Sequence, residues 1–188
     1  MSPLTEVSPP TENSLMTKMP PWLVRELRSD HAGETGAVAI YYGILAISRN
    51  PAVVTFARNH LTTEREHLAL MDQLLPRTQR SKLLVLWQIA GFFTGFLPAL
   101  FGSSPVFRTV DAVETFVDGH YTAQIDRLWL ENIHGEIRQK LETCRNDERH
   151  HRDDARKRVK SPAGIAISLW VGLVTLGSRI AVMIARAI

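Results

Sequence analysis

The sequence predicts an all-α protein, a bundle of six helices. Apolar residues recur at helical spacing over long stretches, prolines and capping residues fall at near-regular intervals, and no stretch alternates with the period of a strand. With 188 residues, 45% hydrophobic and 22% charged, the composition is ordinary for a globular protein and the length suffices for one substantial core. A single cysteine, Cys144, excludes an internal disulfide and any multi-cysteine zinc or iron–sulfur site. The net charge of +3 is too small to point to nucleic acid.

Residues 1–19 are polar and proline-rich and are expected to form a flexible arm ahead of one domain over residues 20–188. The arm lacks the apolar run of a secretory signal, and Glu6 and Glu12 are out of place in a transit peptide, so the expected home is a bacterial cytoplasm. Pro20-Pro21 opens a first helix over about 21–48, and Asn50-Pro51 supplies an N-cap and a first-position proline for 52–75. Ser81 is expected to cap 82–100, Ser104-Pro105 to open 105–131, and Gly135 to end that helix ahead of 135–160. Ser161-Pro162 is expected to open the last helix, 162–187.

Two of these helices are unusually apolar. The run Leu83 to Gly102 carries no charge, and Ser168 to Ile188 carries only Arg179 and Arg186. Each approaches the roughly 20 apolar residues of a membrane span. Glycines and Pro98 in the first argue instead for a pair lying in the membrane surface, with burial in the core or between subunits as the alternative. Seven Lys/Arg from Arg152 onward, against Asp153 and Asp154, favour an anionic surface. The expected location is peripheral, on the cytoplasmic face of a bacterial inner membrane.

The apolar stripes are interrupted in a regular way. Glu34 lies among Leu27, Val38, Tyr41 and Leu45; Glu64 among Leu61, Leu68, Met71 and Leu75; Glu114 among Phe107, Val110, Val117 and Tyr121; Glu148 among Leu141, Cys144, Ala155 and Val159. A buried ionised carboxylate costs several kcal/mol unless it is paired or binds metal. Two of the four carry histidine three residues on, His67 and His151, on the same helix face. Glu66 and His150 fall off that face and are expected to be solvated or to support the ligands from behind. The order Glu, Glu-x-x-His, Glu, Glu-x-x-His, with intervals of 30 and 34 residues, describes two repeated hairpins. It is the ligand pattern of ferritin-like di-iron or di-manganese bundles, extended here by two apolar helices. Four carboxylates with two imidazoles suit iron or manganese.

Other residues have supporting roles. Repeat symmetry places Asp147 across the bundle from His67, as acceptor of its ring N–H. Asp30 and His31 are candidates to hydrogen-bond and orient the ligands near Glu34, and Gly33 and Gly36 would let another helix approach closely. Cys144 is a small core filler, and Trp87, Trp129 and Trp170 are packing residues in the core or at an interface.

The runs Asp30-His31-Ala32-Gly33-Glu34-Thr35-Gly36-Ala37, Glu64-x-x-His67, Ala112-Val113-Glu114 leading to His120-Tyr121, and Asp147-Glu148-x-x-His151 resemble the demethoxyubiquinone hydroxylase family, from about residue 20 to the C-terminus. The resemblance implies a di-iron monooxygenase of ubiquinone biosynthesis. Two iron ions would be held by Glu34, Glu64, His67, Glu114, Glu148 and His151, with Glu64 and Glu148 bridging, and His120 and Tyr121 would assist catalysis. O2 is the implied co-substrate, and an external reductant, NADH or the quinol itself, supplies electrons; no nucleotide-binding motif is visible. The implied substrate is 2-polyprenyl-3-methyl-6-methoxy-1,4-benzoquinol. Its tail stays in the bilayer, so helices 82–100 and 162–187, with Arg156, Lys157, Arg158 and Lys160, would form the membrane contact. Other proteins of the ubiquinone pathway and a second copy of this chain are the implied protein partners.

A ferritin-like ferroxidase or iron-handling protein would use the same six ligands, and a membrane scaffold with a vestigial metal site is a third reading. Long apolar helices speak against the first and an intact ligand set against the second.

Overall fold

Two of the four expected proline-led helix starts form as the sequence leads one to expect. Pro20 is extended and Pro21 takes the first position of α1 (Pro21–Ile47), where its missing N–H leaves no helical bond unmade. Asn50 Oδ1 accepts from the Ala52 amide at 2.9 Å and opens α2 (Pro51–Leu74). The computed structural model describes residues 19–160 and 162–188. Beyond a one-turn 3-10 segment (Arg77–Gln79), the remaining helices are α3 (Leu84–Ala99), α4 (Ser103–Glu131), α5 (Gly135–Arg158) and α6 (Ile165–Ala187). The described residues are all-helical in a ferritin-like bundle, as the periodicity requires.

Several boundaries fall elsewhere than expected. Gly102, at φ 105°, caps α4, so Ser104 and Pro105 lie inside its first turn and do not cap it. That backbone region strains any residue with a Cβ. Asn132, at φ 51°, ends α4 and His134, at φ 47°, precedes α5, both in left-handed geometry that Asn and His tolerate better than most residues. Gly135 therefore opens α5 and ends nothing. Ser81 does not cap α3 directly; its Oγ accepts from the Leu83 amide at 3.2 Å and from Trp87 Nε1 at 3.1 Å. The closing helix starts at Ile165, not at Pro162, and Ser161 lies outside the described residues. Residues 1–18 of the expected arm also lie outside them, while Met19 is buried in a cluster with Trp22, Leu23 and Leu27.

Helices α1/α2 and α4/α5 form the two hairpins of the bundle. Each inner stripe is apolar at both ends and acidic in the middle. On α1, Leu23 and Leu27 precede Glu34, and Ile40 and Ile44 follow it; α2, α4 and α5 repeat the arrangement. Two apolar clusters thus sandwich one polar layer.

Helix α3 packs on the outside of α1 through glycine. A Cβ at Gly95 would lie 1.9 Å from the Ile40 carbonyl oxygen, one at Gly91 2.2 Å from that of Gly36, and one at Gly43 2.1 Å from that of Phe92. Gly33 is different: nothing lies within 4 Å of its would-be Cβ, so it permits no helix approach. Helix α6 crosses α1 and α4 and buries only Val174 and Ala185. Among the described residues it is the one helix long and apolar enough to cross a membrane by length and composition. Trp129 is not a core residue; it is exposed, with Arg138 stacked over its ring.

The glycine contacts set a stability test. Overpacking a tight interface costs about 1–3 kcal/mol or more, whereas alanine for glycine inside an open helix gains up to about 1 kcal/mol. Gly95→Ala and Gly43→Ala should therefore lower the thermal unfolding midpoint by several degrees, and Gly33→Ala should hold or raise it. A Gly95→Ala protein melting with the parent would contradict the α1–α3 approach.

Candidate metal centre

The six residues singled out by the interrupted stripes meet in the polar layer. Glu34, Glu64, Glu114, Glu148, His67 and His151 are all buried, whereas Glu66 and His150 are exposed. They fall into two overlapping sets, Glu34/Glu64/His67/Glu148 and Glu64/Glu114/Glu148/His151, and in each set one ligand atom per residue lies within 4.8 Å of all the others. Glu64 and Glu148 belong to both sets and lie where the two overlap.

The donor atoms converge but satisfy one another only in part, His151 Nδ1 lying 3.2 Å from Glu148 Oε2. Glu34 Oε2, both oxygens of Glu64 and His67 Nδ1 are buried and have no hydrogen-bond partner among the described residues. His67 Nδ1 is 3.0 Å from Glu148 Oε1, and His151 Nδ1 is 3.0 Å from Glu64 Oε1, yet neither contact relieves those orphaned atoms. Buried polar atoms are nearly always paired, so this cluster fits cations at the points of convergence. Carboxylate and imidazole donors match iron or manganese.

The electrostatics follow from burial. Desolvation raises the pKa of Glu34, Glu64 and Glu114, which neighbouring carboxylates push up further. Burial would also raise Glu148, but the His151 hydrogen bond and the charge of His67, 3.0 Å away, bring it down to about 2. Burial would lower both imidazoles; the surrounding carboxylates instead hold His67 up at about 11 and His151 at about 9.

A ring of hydrogen bonds surrounds the six. Asp147 Oδ2 lies 3.2 Å from His67 Nε2, so the ring is held with Nδ1 facing the other donors, and the neutral ring would keep its proton on Nε2. The Tyr121 hydroxyl donates to Glu34 Oε1 at 2.5 Å. Asp30 is buried but meets no ligand histidine: its Oδ1 accepts from Gln124 Nε2 at 2.8 Å and lies 2.9 Å from His120 Nε2. Ser29 donates its own proton to the Glu26 carbonyl and lies 3.1 Å from His120 Nε2, so that nitrogen carries the proton. His31 turns away to Asp72, at 3.1 Å. Sequence reasoning missed two residues. Tyr41 donates to Glu114 Oε1 at 3.3 Å, and His60, paired with Asp154 at 3.1 Å, packs edge-on against the His151 ring at 4.1 Å. Tyr41 was legible, being as far beyond Glu34 as Tyr121 is beyond Glu114; nothing in the spacing marks His60.

A cavity of about 410 Å³ runs from this layer outward between α1, α3, α4 and α6. Glu34, Glu64, Glu114 and Glu148 close its inner end, His120 and Tyr121 line one side, and Gly33, Trp87, Leu173 and Val174 are among its walls.

The family model described as Ubiquinone biosynthesis protein COQ7 matches residues 21–185, a span that holds all six converging residues. The chain belongs to that family. It is 38% identical over 162 residues to the 3-demethoxyubiquinol 3-hydroxylase of Rhodospirillum rubrum, covering 78% of this chain and 76% of that one. It is 31% identical over 171 residues to the NADPH-dependent 3-demethoxyubiquinone 3-hydroxylase of Caenorhabditis elegans, covering 86% and 88%. For the protein of the same name from Dictyostelium discoideum the figures are 35% over 130 residues, 68% of this chain and 60% of that one.

Two outcomes follow. Losing the orienting partner of a ligand imidazole typically costs about 10–100-fold in metal affinity. Asp147→Asn should therefore keep the helical circular dichroism of the parent but bind Fe²⁺ at least tenfold more weakly. Secondly, His67 and His151 hold protons in the folded protein to about pH 11 and 9, against about 6.5 unfolded. Their contribution to the chelator-treated protein is complete below pH 6.5 and is lost as pH rises through those folded values, and the three raised glutamates act in the same direction. Thermal midpoints of the metal-free protein should fall between about pH 6.5 and 9. Metal affinity over that range should rise, because metal displaces the same protons.

Proposed function

We propose that the chain is a di-iron monooxygenase that hydroxylates the ring of 2-polyprenyl-3-methyl-6-methoxy-1,4-benzoquinol in ubiquinone biosynthesis. The observation that carries this reading is the pair of buried carboxylate–imidazole sets, sharing Glu64 and Glu148, at the closed end of an apolar cavity. Glu34 and His67 would hold one iron, Glu114 and His151 the other, and Glu64 and Glu148 both. When bound, the two irons supply the redox chemistry, activating O2 so that one oxygen atom enters a ring C–H bond and the other leaves as water with two external electrons and two protons.

The chain's own residues set the conditions for that chemistry. Buried walls such as Ile40, Val113 and Val174 exclude water and accept an apolar ring, which disfavours the iron-handling alternative, since ions need a polar route. His120, held by Asp30 and Ser29, separates this cavity from a second, more open groove of about 740 Å³ between α4 and α6. Arg108, Arg156, Arg179 and Arg186 line that groove. Guanidinium groups match phosphate geometry, so the groove is where a pyridine nucleotide, NADH or the NADPH named for the C. elegans relative, would deliver electrons; the quinol is the other donor.

The tail of such a substrate stays in the bilayer, and the protein must meet it there. Leu169, Leu173, Leu176, Ile180 and Met183 on α6, with Val85, Leu86, Ile89 and Phe93 on α3, form exposed apolar surface around the cavity walls. Lys157 and Lys160 are exposed nearby, whereas Arg156 and Arg158 are engaged by Asp111 and Asp154. This surface would place the protein peripherally on the inner membrane of a bacterium, with other pathway proteins or a second copy as neighbours.

The test is an aerobic assay of the iron-loaded protein with the quinol and a reductant, scored as gain of one oxygen atom by mass spectrometry. Glu114→Ala or Glu148→Ala should abolish product while much of the helix content remains, and Glu66→Ala should stay within about twofold of the parent. Charged residues at Leu86 and Phe93 should slow a long-tailed substrate more than a short-tailed one. An iron-loaded parent that leaves the quinol unchanged would rule the reading out.

A further inference from the structure

The bundle is built from two hairpins, and its repeat extends one layer beyond the six converging residues. Tyr41 follows Glu34 by the same interval at which Tyr121 follows Glu114, two turns later on the same face. The contacts cross. The α1 tyrosine donates to the α4 glutamate, Tyr41 Oη to Glu114 Oε1 at 3.3 Å, and the α4 tyrosine donates to the α1 glutamate, Tyr121 Oη to Glu34 Oε1 at 2.5 Å. Such an exchange requires α1 and α4 to be antiparallel about a point midway between the four residues, and the two pairs have the same total of residue numbers. Both rings are among the most fully buried side chains of the protein. Their surroundings differ. Tyr121 lies on the wall of the apolar cavity, while Tyr41 is packed on the closed side against Phe56 and His60, with ring centroids 6.3 and 6.1 Å away.

We propose that Tyr41 is a positioning residue for one metal only: its hydroxyl fixes the Glu114 carboxylate toward the position shared with His151, while Tyr121 does the same for Glu34 and the position shared with His67. The inference rests on the metal-centre reading above. A glutamate that belongs to just one of the two sets has no second metal to fix its orientation, unlike Glu64 and Glu148. Its free oxygen needs a donor held in a fixed place, which a mobile water in the cavity would not be. The tyrosine hydroxyl supplies it without adding charge, which a Lys or Arg at the same place would do at the expense of cation binding.

The experiment uses Co²⁺ as the probe, titrated anaerobically into chelator-treated full-length protein and followed by visible absorption. The parent should take up two equivalents. His67→Ala leaves the Glu64/Glu114/Glu148/His151 set, and His151→Ala leaves the Glu34/Glu64/His67/Glu148 set, so each variant isolates one position. Tyr41→Phe keeps the ring and its packing. Added to His67→Ala it should weaken Co²⁺ binding about tenfold or more, and added to His151→Ala it should change affinity less than about twofold. Tyr121→Phe should show the reverse pattern. Equal affinity with and without the Tyr41 hydroxyl in the His67→Ala background overturns the proposal, as does an equal loss in both backgrounds, which would mark Tyr41 as packing alone. A parent that binds fewer than two Co²⁺ takes down the metal-centre reading, and the assignment of Tyr41 with it.

Discussion

Four carboxylates and two imidazoles share one dry layer, and the rest of the structure is arranged around what that costs. Bringing even one ionised carboxylate out of water is expensive, and neighbouring carboxylates make each ionisation harder. Without metal, the layer settles by sharing protons: Glu148 keeps its charge between two cationic imidazoles while Glu34, Glu64 and Glu114 are driven toward the neutral form. Two divalent ions would match the charge of all four carboxylates and let both imidazoles be neutral. Such a layer would be best satisfied when loaded, and the apolar clusters above and below supply the stability that the polar layer withholds.

That division also explains why the outer helices are unlike the inner four. Helix α3 is fastened to α1 by backbone-to-backbone contact at Gly43, Gly91 and Gly95, where side chains would force the helices apart. Helix α6 has the opposite character. It is tied at its ends by Trp170 Nε1 donating to Thr109 Oγ1 at 2.8 Å and by Arg186 pairing with Glu26 at 2.7 Å, and it buries little between them. One rigid wall and one thinly held wall enclose the cavity. Neither contributes a residue to the six, so a guest can be accommodated at this end of the protein without disturbing the layer it approaches.

The sequence exposes the parts of this design that are periodic and hides those that depend on contact. Glu34, Glu64, Glu114 and Glu148 are legible because each breaks an apolar stripe, and Glu66 and His150 are legible as bystanders because a helix turns about 100° per residue. Asp147 is legible through the repeat. Helix ends are less so, because left-handed geometry at Asn132 and His134 competes with the more familiar signal of Gly135, and Gly102 outranks the Ser104-Pro105 pair two residues on. Gly33 shows the limit of composition: it looks like a packing glycine, yet it faces open space beside Glu34, while the contacts form at Gly43, Gly91 and Gly95. His60 has no mark at all, since its partners Asp154 and His151 belong to a helix some ninety residues away in sequence.

His60 and Asp147 also show that the two halves of the repeat are not equivalent. His67 is held by a hydrogen bond to Asp147, whose side chain is 44% exposed, so that imidazole communicates with solvent through one carboxylate. His151 is held by the edge of the His60 ring, itself anchored by Asp154, which Arg158 pairs in turn at 2.9 Å. A carboxylate acceptor makes an imidazole more basic and a better donor to a metal, whereas an aromatic edge fixes the ring plane without that electronic push. The cavity breaks the symmetry again, since Tyr121 lines it and Tyr41 does not. The two donor sets are thus given different basicity, different access to solvent and different access to an apolar guest, and it is this inequality, more than the shared residues, that would let a metal held in one set face the substrate while a metal in the other anchors the layer.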